Sequence, residues 1–142
     1  MLFRSVVARS ADSLSGGAGN DRLYGGTGHD SLTGGAGQNG FYFHTPLDAR
    51  NNVDAIADFS PAYDTLFLEG PAFAAIGRTG ALIADAFVTG SAARDAEDRI
   101  VYDKAAGRLS FDADGTGPAA AILFATLTPG TALTHADFHF LG

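Results

Sequence analysis

An all-β fold is what this 142-residue sequence predicts, and three observations predict it. The composition favours turns, with nineteen Gly and fourteen Asp against only two Glu (Glu69, Glu97). Glu favours helices, whereas Asp favours turns and holds a short carboxylate close to the backbone. A nine-residue repeat runs through residues 16–42. Beyond it, short apolar segments alternate with turn-forming residues to the end of the chain.

The repeat comes first. Residues 16–24 read GGAGNDRLY, 25–33 GGTGHDSLT and 34–42 GGAGQNGFY. The pattern is G-G-x-G-x-D-x-U-x, with U a large apolar residue, and Asn39 is its departure in the three intact units. One step upstream, VARSADSLS (7–15) keeps Asp12 and Leu14 in phase but has no glycine. Glycine permits positive φ and close backbone approach, so G-G-x-G-x bends sharply and turns its carbonyl oxygens toward one point. The Asp closing the turn adds a carboxylate, and such a set of hard oxygens suits Ca²⁺, which takes about six to eight of them. The x-U-x triplet fits one very short strand with U inward. Two nonapeptides make one coil, so Asp12 pairs with Asp30 across the coil and Asp21 with Asn39. Leu14 then stacks on Leu32 and Leu23 on Phe41, a thin core that predicts a conditionally folded array.

These nonapeptides resemble the RTX (repeats-in-toxin) family. The resemblance implies a short parallel β-roll of nonapeptide repeats over residues 7–42, followed by a β-rich C-terminal cap over 43–142. It implies side-chain ligation of Ca²⁺ by Asp21 and Asp30, extended to Asp12 and Asn39, and carbonyl ligation by Gly17, Gly19, Gly26, Gly28 and Gly35. Two departures matter: Asn39 carries no charge, and the turn 7–12 lacks glycine. The better-formed turns lie in the middle, which puts the site between Asp21 and Asn39 first.

Past the repeats, FYFHT (41–45), NNVDAIADF (51–59) and DTLFLEG (64–70) read as strands. PAFAAIG (71–77) and TGALIADAF (79–87) have the spacing of short helical turns. DRIVYD (98–103) and RLSFDAD (108–114) form a hairpin pattern with Gly107 at the bend. AAAILFATL (119–127) reads as a strand, and ADFHFL (136–141) closes the chain. The stretch 41–142 is similar to the C-terminal region of serralysin-type RTX exoproteins, which implies an uncleaved type I export signal and a secreted bacterial protein.

Other patterns point elsewhere less well. DADGTG (112–117) opens like a Ca²⁺ loop, but its twelfth place is Leu123, where a bidentate Glu is needed; it reads as a polar hairpin loop. Asp54, Asp58 and Asp64 are placed to offer oxygens to the last turn, though a solvated position or a hydrogen bond within a turn suits them better. His29 occupies a variable repeat place and is expected to face solvent. His135 and His139 have zinc-like spacing but no third ligand and a strand-like setting. No H-E-x-x-H, G-x-S-x-G or P-loop occurs, so catalysis by this chain alone is not expected. Its formal charge of −7 argues against nucleic acid. No apolar run reaches the length of a membrane span, and MLFRSVVARS is too short and too broken by Arg4 and Arg9 for a signal peptide.

The leading expectation is a non-catalytic Ca²⁺-binding module that couples ion binding to extracellular folding and type I secretion. Its partners would be calcium ions, the type I secretion apparatus and a second copy docking through the open end of the roll. Two other expectations stand beside it. The degenerate first unit suits the C-terminal fragment of a larger secreted enzyme, such as a protease, lipase or polysaccharide-modifying enzyme. An exposed aromatic platform would instead favour an adhesive or carbohydrate-binding module.

Overall fold

The computed structural model describes residues 5–7 and 11–142. The fold is all-β. Strands β1 (Ser5–Val7), β2 (Ser13–Ser15), β3 (Arg22–Tyr24) and β4 (Ser31–Thr33) each span three residues. They are followed by β5 (Gly40–Phe43), β6 (Asp54–Ile56) and β7 (Thr65–Leu68). Successive strands alternate between two sheets. One sheet starts β1-β3-β5-β7 and the other β2-β4-β6, all paired in parallel. Three residues are all that the x-U-x triplet allows before the next turn carries the chain to the opposite sheet. The expected strand 51–59 is therefore only Asp54–Ile56, because its flanks are spent on turns. The triplet Ser5–Val7, one coil before β3, is a strand that the repeat pattern did not single out.

The remaining strands are β8 (Gly80–Ala81), β9 (Phe87–Thr89), β10 (Ile100–Asp103), β11 (Arg108–Phe111), β12 (Ile122–Leu127) and β13 (Phe138–Phe140). The helical spacing over 71–87 becomes 3-10 turns at Pro71–Ile76 and Ala84–Ala86, and a third precedes β13 at His135–Asp137. β10 and β11 form the expected hairpin, with Gly107 at φ 71°. A Cβ on Gly107 would collide with the Leu127 carbonyl of the neighbouring strand, so only glycine fits.

The sheets run without a break from the repeats into the C-terminal half. β6 pairs with β12 and β7 with β13, both in parallel. The inward column therefore continues in register: Leu14, Leu32, Ile56 and Leu127 on one sheet, and Leu23, Phe41, Leu66 and Phe138 on the other. All eight are buried in one cluster that also takes in Phe73, Ile100, Leu109 and Phe124. The four repeat residues are thus not a thin core of their own. Leu32 and Phe41 register directly on Ile56 and Leu66, and full burial of a Leu or Phe contributes about 1.5–3 kcal/mol.

On the outer face of the first sheet, Tyr24, Tyr42 and Phe67 stack ring on ring at 4.5 Å spacing, and His139 abuts Phe67 at 5.8 Å. The rings face one another across neighbouring strands, so the stack ties β3 to β13.

Candidate metal centre

Each turn of the repeat carries glycines of positive φ in the same order. Gly17 and Gly19 lie at 79° and 102°, Gly26 and Gly28 at 77° and 106°, Gly35 and Gly37 at 79° and 105°. The three bends are alike, the first and third stack one coil apart, and a Cβ on Gly35 or Gly37 would collide with the carbonyl oxygen of Gly17 or Gly19 beneath it. These carbonyls lie in the turns, away from the strand ladders.

The sixth residue of each turn joins a ladder of its own. Asp12 N–H donates to Asp30 Oδ1 at 2.9 Å, and Asp30 N–H donates to Asp54 Oδ1 at 3.1 Å. On the opposite flank, Asp21 N–H donates to Asn39 Oδ1, and Asn39 N–H to Asp64 Oδ1, both at 2.9 Å. One side-chain oxygen thus receives the amide of the equivalent residue one coil earlier, and the second is left over. Asp21, Asp30, Asn39, Asp54 and Asp64 are all buried. Asp12 is exposed, and most of its turn lies outside the described residues.

The leftover oxygens are treated differently from rung to rung. Asp30 is only 2% exposed, yet its Oδ2 is buried with no hydrogen-bond partner, as are both carboxylate oxygens of Asp21. A Cβ on Gly25 would stand 2.8 Å from Asp30 Oδ2 and 2.7 Å from Asp54 Oδ2, so the first glycine of that repeat leaves the space both oxygens face. Burial pushes the Asp30 carboxyl above its ordinary range and carries Asp54 to about 7. Around Asn39 and Asp64 the polar groups are matched. Asn39 Nδ2 donates to Gly35 O at 3.1 Å, and Asp64 Oδ2 accepts from Ser60 N–H at 2.9 Å. Asp58 accepts the amides of Gly34 and Gly35, each at 2.8 Å.

Asp54 and Asp64 are therefore buried partners of the repeats, while Asp58 is exposed and hydrogen-bonded to a repeat turn. A signal for two of them existed: Asp54-Ala55-Ile56 and Asp64-Thr65-Leu66 repeat the Asp-x-apolar triplet of Asp21-Arg22-Leu23. Their steps of 24 and 25 residues from Asp30 and Asn39 fall out of phase with the 18-residue coil of the repeats. The extra residues form the loop 44–53, and His29 holds it. His29 Nε2 donates to Arg50 O at 2.7 Å, and Nδ1 lies 3.1 Å from the N and O of Val53. The ring is exposed, as its place in the repeat suggested, but bonded to the next coil. The Val53 and Arg50 carbonyls raise its pKa.

His135 and His139 do not converge. His135 Nδ1 bonds Leu82 O at 2.8 Å, while His139 lies against Phe67. Asp112 and Asp114 sit in a hydrogen-bonded loop between β11 and β12. Among the described residues no three His, Cys, Asp or Glu side chains gather at one point. An oxygen site here must therefore combine carboxylates with backbone carbonyls.

A family model described as RTX calcium-binding nonapeptide repeat matches residues 9–40 in four copies. The chain carries RTX calcium-binding repeats. No curated protein matches it. Among solved structures it is similar to the solution structure of the AlgE6R3 subunit from the Azotobacter vinelandii mannuronan C5-epimerase. That match has 25% identity and a TM-score of 0.55, and covers 97% of this chain and 74% of the other. RTX repeats bind Ca²⁺, and proteins that carry them are typically secreted. The RTX turns here fit that ion: they present buried carboxylate oxygens without partners beside glycine carbonyls, with the His29 nitrogens turned to Val53 and Arg50 and the Asn39 nitrogen to Gly35 O. No helix among the described residues is long and apolar enough to cross a membrane.

Proposed function

We propose that this chain is a non-catalytic calcium-binding module whose extracellular folding is completed by ion binding at the stacked turns. The observation that carries the reading is the set of buried, unpartnered oxygens on Asp21 and Asp30. Leaving such a group unsatisfied costs about 1–3 kcal/mol, more when it is charged. Bound Ca²⁺ supplies the positive charge and the coordination that these oxygens lack. Asp21 on one flank and Asp30 on the other each hold an ion with side-chain oxygens, and Gly17, Gly19, Gly26, Gly28 and Gly35 contribute carbonyls. Asp12 and Asn39 complete the pairing across the coil. In Asn39 the amide nitrogen is committed to Gly35 O and Oδ1 already accepts Asp21 N–H, so the second lone pair of Oδ1 is what it can offer a metal.

At low free Ca²⁺, unscreened carboxylates and glycine entropy oppose folding of residues 7–42. An unfolded array suits export through a type I channel, and binding outside becomes folding free energy. A Kd of about 10⁻⁴–10⁻³ M, that of extracellular modules, is sufficient. Circular dichroism of the purified chain during a Ca²⁺ titration, with Mg²⁺ as control, tests this. A cooperative gain of β signal with Ca²⁺ alone is expected. A spectrum unchanged by either ion, with no Ca²⁺ uptake, rejects the reading.

A second reading has an observation of its own: the likeness to a module of a mannuronan C5-epimerase over 97% of this chain. It makes the chain one part of a larger secreted polysaccharide-modifying enzyme. An antibody raised against this chain should then detect a product well above 14.6 kDa in culture medium; a product of that mass alone rejects it.

A further inference from the structure

Asp54 lies outside the family match, in a segment without repeat glycines, yet it takes the ladder position of a repeat Asp. Its Oδ1 receives Asp30 N–H as Asp30 Oδ1 receives Asp12 N–H. Its Oδ2 and the Asp30 Oδ2 both reach within 2.8 Å of the point where a Gly25 side chain would begin. Both oxygens thus crowd the same side of the Gly25 backbone, and Ca²⁺–oxygen distances of about 2.3–2.6 Å let two carboxylates so placed share an ion beside it. Asp30 is 2% exposed and Asp54 4%, and Asp30 Oδ2 has no other partner.

The setting is built to hold Asp54 there. Although the chain takes 24 residues instead of 18 to return to this position, the loop 44–53 is pinned on both sides. Asn52 Nδ2 donates to Thr45 Oγ1 and to Pro46 O, both at 2.8 Å. Thr45 Oγ1 donates to Gly26 O at 3.3 Å, inside the repeat turn, and His29 holds the loop at Arg50 and Val53. The opposite flank is the internal control. Asp64 has the same ladder position, but its second oxygen is taken by Ser60 N–H.

We propose that Asp30 and Asp54 are the two carboxylates of a Ca²⁺ site shared between the repeat array and the C-terminal half. The site rests on the calcium-binding reading of the repeats and adds to it a ligand from outside them. An ion held there ties β4 to β6 and to everything β6 carries, so the C-terminal half reports on the ion.

Asp54→Asn is the discriminating variant, because Asn keeps an Oδ1 for Asp30 N–H, as Asn39 does for Asp21. Isothermal titration of the full chain with CaCl₂ should show one binding step fewer, or one weakened at least tenfold. Asp21→Asn should weaken a different step and spare this one. In ¹⁵N NMR of the unmutated chain, the Asp30, Asp54 and Ala55 amides should shift together in one titration step, a readout that needs no variant to fold. Full stoichiometry and affinity in Asp54→Asn, or static Asp54 and Ala55 amides while repeat amides shift, would overturn the shared site and leave the calcium-binding reading standing. No heat and no shifts in the unmutated chain would overturn both.

Discussion

Two rungs of the roll, Asn39 with Asp64 and Asp30 with Asp54, solve one problem in opposite ways. Each belongs to a ladder of stacked side-chain oxygens, and each must satisfy the oxygens and amides left over. At the Asn39–Asp64 rung the protein satisfies them itself, through the Asn39 amide, Ser60 N–H and the pairing of Asp58 with two glycine amides, whereas Asp21, one coil earlier on that flank, keeps two buried oxygens without partners. On the flank of Asp30 and Asp54 two carboxylates face each other across Gly25, and Asp30 Oδ2 is left unpaired. The difference teaches that a repeat turn can be locked by internal hydrogen bonds or left for a cation, and that one residue type, Asn against Asp, moves a turn from one to the other.

The largest expected effect is on pH dependence in chelator. Burial raises the Asp54 carboxyl to about 7, so between the unfolded value near 4 and about 7 the folded chain binds more protons than the unfolded chain. Metal-free stability is therefore highest below about pH 4 as far as this group decides it, and is lost as pH rises toward 7. The raised His29 acts in the same direction, its contribution being lost as pH climbs through its folded pKa. Asp64 is raised as well, so Asp54→Asn should flatten the profile without removing all of it. Melting in EDTA at pH 5 and pH 8 should differ by about 10 °C in the unmutated chain and by less in Asp54→Asn. Equal slopes in the two proteins would remove Asp54 as the source.

A paired truncation then breaks the comparison. At a Ca²⁺ concentration one hundred times Kd, binding contributes about 2.7 kcal/mol to stability. Asp30→Ala should abolish most of that gain, since Asp30 serves the coils on both sides of it. Asn39→Ala should instead cost about 1–3 kcal/mol in chelator, by orphaning Asp21 N–H and Gly35 O, and keep the gain from Ca²⁺ on the other flank. Thermal melts of both variants with and without Ca²⁺ measure each part. If Asn39→Ala loses the calcium response and Asp30→Ala keeps it, the flanks have been assigned the wrong way round.

Much of this contrast was legible in the sequence where the period held. The inward places Leu14, Leu23, Leu32 and Phe41 follow from the phase, as does the neutral Asn39. What could not be read was the continuation. Asp54 and Asp64 repeat the Asp-x-apolar triplet, but insertions in the turns before them shift the count, and period alone then loses them. The parallel pairing of β13 with β7, which sets Phe138 on Leu66, joins residues too far apart for any local pattern to register. Asp58 reads as a turn residue because its role depends on two glycine amides in another coil. In physical terms, the strand triplets are local and periodic, while the satisfaction of each carboxylate is a contact between coils.

The smallest effect sharpens the comparison by converting one flank into the other. Asn39→Asp keeps an oxygen for Asp21 N–H and removes the donor to Gly35 O. The lost neutral hydrogen bond costs about 1 kcal/mol in chelator. The new carboxylate also meets Asp64, whose Oδ1 already approaches Asn39 N–H, and Asp21 with its two unpartnered oxygens. Three acids where there were two make the metal-free turn worse and the Ca²⁺-loaded turn better, because each added anionic oxygen strengthens a hard-cation site. Calorimetry should therefore show a tighter step on this flank, with the loss in EDTA recovered once Ca²⁺ is added. A variant destabilised equally with and without Ca²⁺ would mean that the Asn39 amide is there for packing of the turn alone, and that the ion does not approach this flank.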